Sequence, residues 1–217
     1  MKNYTDKNLS TLVEDIYNTI SDLNSGNQEI SEACLESLSV GVSNAVKGWA
    51  TPTKENKQFT LRMSNVGKPA RQLYYNNKYN NSNDLDSPTL IKFLYGHILE
   101  EVLIFLVKLA GHTVTDEQKE VILNGVKGHI DCKIDGEVVD IKTASSFAFK
   151  KFKNGTLRED DPFGYLSQLA GYETAEGTSN GGFLVINKES GELTLYRPED
   201  LDKPNVKVLI NKIKDIF

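Results

Sequence analysis

The dipeptide Asp135-Gly136 stands between two runs of strand-forming residues, 126–134 and 137–143. A two-residue Asp-Gly loop favours a tight β-hairpin, because both of its residues tolerate a positive φ angle. The loop length also sets which residues face each other across the two strands. The sequence therefore predicts an antiparallel hairpin with a defined register.

That register places Asp131 opposite Asp140, and the alternation of side chains puts Lys142 on the same face. Directly opposed residues have Cβ atoms roughly 4.5–5.5 Å apart, and like charges at that distance are destabilising. Two opposed carboxylates beside a lysine therefore indicate a bound divalent metal ion. A solvated polar face, or a bulge that shifts the register, would explain the same residues without a metal.

The bulk composition is typical of a soluble globular domain: 217 residues, 39% hydrophobic and 25% charged. No apolar run reaches the length of a membrane span, and the first residues are not typical of a signal peptide. The cysteines, Cys34 and Cys132, form no metal-type pair, which predicts free thiols and a cytoplasmic location. The net charge of -5 argues against a protein that coats nucleic acid by charge alone.

Hydrophobic periodicity and turn residues predict the remaining elements. Helices are expected at 7–24, at 29–48, from Ser87-Pro88 to about Ala110 with Gly111 as the stop, from Asp161-Pro162 to Gly177, and within 203–217. Strands are expected within 118–123, 126–134, 137–143, 182–187 and 193–196, a loop at 76–88, and a basic connection at 144–160. We predict a mixed α/β core at 53–217 that follows an N-terminal helical extension, residues 1–52.

On the long helix, Glu100 shares its side with apolar residues such as Leu103 and Val107, whereas Glu101 falls on the polar stripe. A buried carboxylate without a partner is unfavourable, so Glu100 is a candidate third metal ligand. The alternative is a rim residue that pairs with a lysine.

On the later helix, Tyr165, Gln168 and Tyr172 share one face, at positions i, i+3 and i+7. Such side chains can hold a phosphate or stack on a base. The same spacing is also typical of an ordinary core edge.

Together these motifs resemble the PD-(D/E)xK nuclease superfamily, and most closely its RecB-like, phage-type exonuclease branch. The motifs are Gly96-x-x-x-Glu100, Gly128-His129-Ile130-Asp131, Val139-Asp140-Ile141-Lys142 and Gln168-x-x-x-Tyr172, within roughly residues 60–200. The resemblance implies a restriction-endonuclease-like core, with a central mixed β-sheet flanked by helices.

The resemblance also implies the site residues: Glu100, Asp131, Asp140, Lys142, Gln168 and Tyr172. The three carboxylates and the carbonyl oxygen of Ile141 would hold one or two Mg²⁺ or Mn²⁺ ions. Lys142 would orient water or stabilise charge, and Gln168 with Tyr172 would hold the substrate strand. Some relatives use a histidine at the helix position or four cysteines for an iron–sulfur cluster. His97 lies one turn early and is not taken as a ligand, and with two cysteines no cluster is expected.

Two basic stretches predict DNA contacts. The first contains Arg62, Lys68 and Arg71; the second contains Lys150, Lys151, Lys153 and Arg158; Tyr165 is a further candidate. In the second stretch the lysines alternate with Phe147, Phe149 and Phe152, a pattern that suits single-stranded nucleic acid. A solvated lysine-rich loop with its phenylalanines in the core is the alternative.

We therefore predict a metal-dependent DNA exonuclease of recombination, repair or replication, with phage DNA metabolism as its setting. An endonuclease of the same fold, a catalytically idle DNA-binding or assembly module, and a small-molecule or RNA metallohydrolase are the alternatives. The expected partners are DNA, single-stranded or at its ends, and a single-strand-binding protein or recombinase. No membrane contact is expected, and the location would be the host cytoplasm for a phage protein.

Overall fold

The computed structural model describes residues 7–51, 59–79 and 85–215. The α-helices in these ranges are α1 Leu12–Asn24, α2 Glu32–Ala50, α3 Ala70–Tyr79, α4 Ser87–Leu109, α5 Ser146–Lys153, α6 Tyr165–Glu176 and α7 Val206–Lys214. The strands are β1 Val114–Thr115, β2 Glu120–Leu123, β3 Val126–His129, β4 Cys132–Ile134, β5 Glu137–Ala144, β6 Gly182–Asn187 and β7 Leu193–Tyr196. None of the described helices is both long enough and apolar enough to cross a membrane.

A five-stranded mixed sheet in the order β1-β4-β5-β6-β7 forms the centre of the fold. β5 and β6 are parallel, and the other neighbouring pairs are antiparallel. The connection from β5 to β6 carries α5 and α6, as a parallel pair requires a long crossover. β2 and β3 form a separate two-stranded sheet. The predicted mixed α/β class, with a central sheet flanked by helices, is confirmed.

The predicted hairpin is present between β4 and β5. Asp135 and Gly136 have φ angles of 51° and 88°, as the two-residue loop requires. Ile134 pairs with Glu137, as the loop length predicts, and two positions further along Cys132 pairs with Val139.

The single strand predicted over 126–134 is wrong, because the chain leaves the ladder at Ile130 and Asp131. There the backbone bonds to a preceding turn instead of to β5: Ile130 N–H donates to the Lys119 carbonyl, and Gln118 N–H donates to the Asp131 carbonyl. β3 therefore pairs with β2, whereas β4 belongs to the central sheet.

Three further boundaries differ from the prediction. Helix α3 runs to Tyr79, into the segment expected to be a loop. Residues 80–84 of that expected loop lie outside the described ranges. The expected connection at 144–160 contains α5, which is capped by Ser145. Helix α6 begins at Tyr165, because the Asp161 carboxylate accepts hydrogen bonds from the N–H groups of Tyr165 and Leu166, both at 2.9 Å.

Apolar side chains cover both faces of the central sheet, and neighbouring residues of a strand point to opposite faces. Val138 and Phe183 belong to the cluster shared with α5, α6 and α7, whereas Val139 and Leu184 belong to the cluster shared with α1 and α4. Helix α1 contributes to this second cluster, and α2 packs on α4. The division at residue 52 stays a prediction.

Candidate active site

Residues from α4, the β4–β5 hairpin and α6 converge beside the central sheet. Glu100 of α4 interacts electrostatically with Asp131, Asp140 and Lys142, and Tyr172 of α6 interacts with the same three hairpin residues. The fold thus brings together the carboxylates, the lysine and the tyrosine that the sequence motifs singled out.

Asp131 lies one residue before β4, and its side chain faces β5. Its Oδ2 accepts a hydrogen bond from the backbone N–H of Ile141 at 2.6 Å. Burial and the nearby Asp140 carboxylate raise the pKa of Asp131 to about 7, against the opposing effects of Lys142 and of this hydrogen bond.

Asp140 is 1% exposed, and its carboxylate forms an ion pair with the ammonium group of Lys142. Apart from that ammonium group, no described residue donates a hydrogen bond to either carboxylate oxygen. Burial acts to lower the pKa of Lys142, but Asp140 and Asp131 outweigh that effect and the net pKa is raised. Lys142 is therefore an ammonium group at neutral pH, which suits charge stabilisation rather than the role of a base.

Glu100 is held by an amide rather than by a lysine. The Gln118 Nε2 donates a hydrogen bond to Glu100 Oε1 at 2.6 Å. Burial raises the pKa of Glu100 to about 8, and the carboxylates of Asp131, Glu101 and Asp140 add to the effect. Sequence reasoning missed Gln118, which stands in a turn and follows no motif.

Glu101 lies near Lys108, as the polar stripe predicts, but it is half-buried. Its carboxylate packs against Gly41 of α2, where a Cβ atom would require the Glu101 side chain to move. Burial and the nearby Glu117 raise the pKa of Glu101, while Lys108 opposes them. Close packing of α2 on α4, which helix periodicity alone does not show, explains the difference.

The face of α6 is arranged as predicted. Gln168 Nε2 donates to the hydroxyl oxygen of Tyr172 at 3.1 Å, and burial raises the pKa of Tyr172 to about 12. The ammonium group of Lys142 lies 5.2 Å from the centre of the Tyr165 ring, a cation–π distance. Tyr165, predicted as a DNA contact, therefore packs against the hairpin lysine.

The acidic residues fit a divalent cation by their chemistry. Among the described residues, no three carboxylate, imidazole or thiolate side chains already converge as a ligand cage. However, Lys142 is the one described donor to the buried Asp140 carboxylate, and burial together with repulsion raises the pKa of the neighbouring Glu100 and Asp131. A hard cation with oxygen ligands would offset both unfavourable features.

A groove of about 360 Å³ opens beside Glu100. Its walls include Ile141 and Tyr165 together with Lys92, His97, Thr143 and Lys188. Neither Lys92 nor Lys188 belongs to the predicted basic stretches, and their distance from each other in the sequence explains why they were missed. The groove gives an anionic ligand access to the acidic cluster along a wall that carries cations.

The two predicted DNA-binding stretches differ in structure. Arg62, Arg71 and Lys150 are exposed, and Lys68 is half-buried. In the second stretch Lys151 pairs with Asp160, Lys153 with Glu192 at 2.5 Å, and Arg158 with Asp202 at 2.8 Å. Phe149 and Phe152 are core residues, so the core alternative holds for them, whereas Phe147 is 74% exposed.

No protein-family model and no curated protein matches this chain. Similar solved structures include the alkaline exonuclease LHK-Exo from Laribacter hongkongensis, with 14% identity and a TM-score of 0.46 over 71% of this chain and 87% of that one. A phage-related exonuclease from Haemophilus somnus 129PT has 13% identity and a TM-score of 0.46 over 74% of this chain and 91% of that one. The structural neighbours thus include exonucleases, the class named by the sequence resemblance.

Proposed function

We propose that this protein is a metal-dependent deoxyribonuclease that hydrolyses phosphodiester bonds from DNA ends. The observation that carries the proposal is a cluster of three carboxylates, Asp140, Asp131 and Glu100, whose nearby cation is Lys142 and in which the pKa of Asp131 and of Glu100 is raised. A cluster with more carboxylates than cations is unfavourable in a purely structural role, and it is typical of sites that bind a cation.

Mg²⁺ or Mn²⁺ would be held by Glu100, Asp131 and Asp140 with the carbonyl oxygen of Ile141. When bound, such an ion supplies neutralising charge for the phosphate and lowers the pKa of a water molecule. Ion binding requires ionised carboxyl groups, so it would release the protons that the raised pKa values of Glu100 and Asp131 retain near neutral pH.

The chain's own residues would perform the remaining tasks. The Lys142 ammonium would stabilise negative charge as it develops on the phosphate. Tyr172 keeps its proton because its pKa is about 12, so its hydroxyl can donate a hydrogen bond to a phosphate oxygen. Gln168 contacts that hydroxyl and would orient it toward the substrate strand.

The exonuclease form of the proposal rests on the Gln168-x-x-x-Tyr172 motif, and an endonuclease of the same fold is its main competitor. A role in DNA recombination, repair or replication, recruitment by a single-strand-binding protein or recombinase, and a cytoplasmic location belong to the same proposal.

The decisive experiment compares end-labelled linear single- and double-stranded DNA with closed circular DNA, each with Mg²⁺, Mn²⁺ or EDTA. Asp140→Asn and Lys142→Gln are tested beside matched surface variants, Asp200→Asn and Lys207→Gln. We expect metal-dependent loss of linear DNA only, and at least a ~100-fold loss of rate in the two site variants. Cleaved circles would establish an endonuclease, and intact DNA under every condition would reject the proposal.

Folding and ion binding are measured separately, because Lys142 is paired with the buried Asp140. A change at this ion pair can reduce stability as well as cleavage. Each variant is first checked for a cooperative thermal transition. Mg²⁺ or Mn²⁺ should raise the Tm of the wild type and of Asp200→Asn, but not of Asp140→Asn. Equal shifts in all three proteins would show that the ion binds elsewhere.

A further inference from the structure

Helix α3 presents three tyrosines to solvent within six residues. Tyr74, Tyr75 and Tyr79 are 38%, 40% and 58% exposed. The rings of Tyr75 and Tyr79 are nearly parallel, with 7° between their planes and 5.8 Å between their centres. Large exposed aromatic surface is unfavourable in water unless it serves a contact, so this array is a candidate binding surface.

Two cations lie among these rings. The guanidinium carbon of Arg71 is 5.7 Å from the centre of the Tyr75 ring, and the Lys78 ammonium is 5.5 Å from that of Tyr79. Among the described residues, neither cation is paired with a carboxylate. This distinguishes α3 from α5, where Lys151 and Lys153 are both paired with acids.

The charge of this segment is opposite to that of the whole chain. Residues 59–79 contain four cations, Arg62, Lys68, Arg71 and Lys78, and no aspartate or glutamate, whereas the chain has a net charge of -5. A surface for a neutral protein would not need such complete exclusion of acids. Exposed tyrosine rings beside cations that no described carboxylate pairs match a chain of phosphates and bases.

The segment is fixed to the candidate active site. Gly67, between Met63 and α3, contacts the backbone of Gly164 so closely that a Cβ atom would lie 2.5 Å from the Gly164 Cα. Gly164 immediately precedes α6, whose first residues include Tyr165 and Gln168. A strand bound on α3 would therefore lie on the side of the molecule that borders the α6 end of the site.

We propose that α3 is a binding surface for single-stranded DNA, with bases stacked on Tyr75 and Tyr79 and phosphates contacted by Arg71 and Lys78. Bases within a duplex do not offer their faces to side chains, so stacking selects unpaired strands. The proposal deepens the nuclease function proposed above, on which it rests for its biological meaning, by naming single-stranded DNA as the form that the enzyme holds.

The test measures binding of fluorescent oligo(dT), oligo(U) and a blunt DNA duplex in EDTA, so that no cleavage occurs. The variants are Tyr75→Ala with Tyr79→Ala, the same pair changed to Phe, and Arg71→Gln with Lys78→Gln. Leu201→Ala and Lys207→Gln, two changes at exposed residues outside α3, are the controls. Phe147→Ala with Lys150→Gln tests the competing α5 stretch.

The experiment should distinguish the contribution of ring stacking to DNA affinity from that of the two cations. The double alanine variant should bind oligo(dT) about 30-fold more weakly or worse, because it loses two stacked bases that each contribute roughly 1–3 kcal/mol, and about 1.4 kcal/mol is tenfold. Its salt dependence should stay unchanged, and the Phe pair should bind like the wild type. Removing the two cations should reduce the slope of log K against log salt concentration by about 1.4, or about 0.7 for each phosphate contact.

The proposal would be overturned if the double alanine variant bound oligo(dT) as tightly as the wild type, or if it lost equal affinity for the duplex and the single strand. Tighter binding of oligo(U) than of oligo(dT), or a loss of affinity in the α5 variant alone, would also overturn it. Cleavage by the same proteins separates this proposal from the nuclease function. Active enzyme with unaltered binding in the α3 variants rejects the α3 surface alone. Tyrosine-dependent binding without any cleavage rejects the nuclease alone.

Discussion

The backbone N–H of Ile141 donates a hydrogen bond to the Asp131 carboxylate, with 2.6 Å between the nitrogen and Oδ2. Asp131 lies just outside β4, so this bond ties it to the strand that carries Asp140 and Lys142. The break in the predicted strand therefore keeps the two aspartates close while it directs the preceding residues into another sheet. Burial, together with this proximity, raises the pKa of Asp131.

In the absence of metal, the protein should lose stability as the pH rises from about 4 to about 8. Burial and neighbouring carboxylates raise the pKa of Glu100 to about 8 and that of Asp131 to about 7, whereas unfolded carboxyl groups titrate near 4. Between these values the folded state holds more protons than the unfolded state. The free energy of unfolding therefore falls with pH, by up to about 1.4 kcal/mol per pH unit for each group.

Thermal unfolding in EDTA across this pH range measures the effect. Glu100→Gln removes one of the two groups, so its Tm should decline less steeply with pH than that of the wild type. Glu32→Gln, an exposed change in α2, should decline as the wild type does. Parallel curves for all three proteins would mean that Glu100 has an ordinary pKa.

Gln118→Ala should weaken metal binding and slow cleavage, because Gln118 is the hydrogen-bond partner that orients the Glu100 carboxylate. Loss of such a supporting residue typically lowers metal affinity or activity by about 10–100-fold. Calorimetric titration with Mn²⁺ and initial cleavage rates give the two readouts, with the exposed Asn211→Ala as control. Unchanged metal affinity together with a lower Tm would assign Gln118 a structural role only.

The parts of the site that the sequence predicted depend on short-range rules. The Asp135-Gly136 loop requires two positive φ angles, and that requirement alone aligns the strands on either side. Likewise Gln168 and Tyr172 are one helical turn apart, so their contact follows from helix geometry.

The parts that the sequence did not predict depend on contacts between distant segments. The strand breaks at Ile130 because its N–H finds the Lys119 carbonyl, and no local pattern marks that choice. Gln118 reaches Glu100 only because the turn before β2 lies beside α4. Glu101 is half-buried because α2 packs over it, although its position on the helix resembles that of a solvated residue.

Gly67→Ala should destabilise the protein and separate α3 from the active site. A Cβ at Gly67 would lie 2.5 Å from the Gly164 Cα and 2.8 Å from the Ser167 Cβ, so backbone must move. Forced overpacking of this kind typically costs about 1–3 kcal/mol. Gly48→Ala in α2 is the matched control, since its Cβ would meet nothing within 4 Å and alanine favours a helix.

Denaturant unfolding distinguishes the two glycine variants. Gly67→Ala should have a lower transition midpoint than the wild type, and Gly48→Ala an equal or higher one. Equal midpoints for Gly67→Ala and the wild type would show that the backbone at Gly67 accommodates a Cβ atom without loss of stability. That result would weaken the argument that α3 is held against α6.

His112→Ala should be among the most destabilising single changes outside the site. Its imidazole has no exposed surface, and Nδ1 lies 2.7 Å from an Asp135 carboxylate oxygen while Nε2 lies 3.2 Å from one of Asp15. His112 thereby joins the hairpin loop to α1. Truncation would remove this partner from both carboxylates and open a cavity, an expected loss of about 2–3 kcal/mol.

The matched control is His129→Ala, because His129 is exposed at the end of β3. Its free energy of unfolding should change by less than about 0.5 kcal/mol. His112→Gln keeps one donor group, so its free energy of unfolding should lie between those of the two alanine variants. If His112→Ala unfolded at the same denaturant concentration as His129→Ala, the two carboxylate contacts would contribute nothing to holding the hairpin loop against α1.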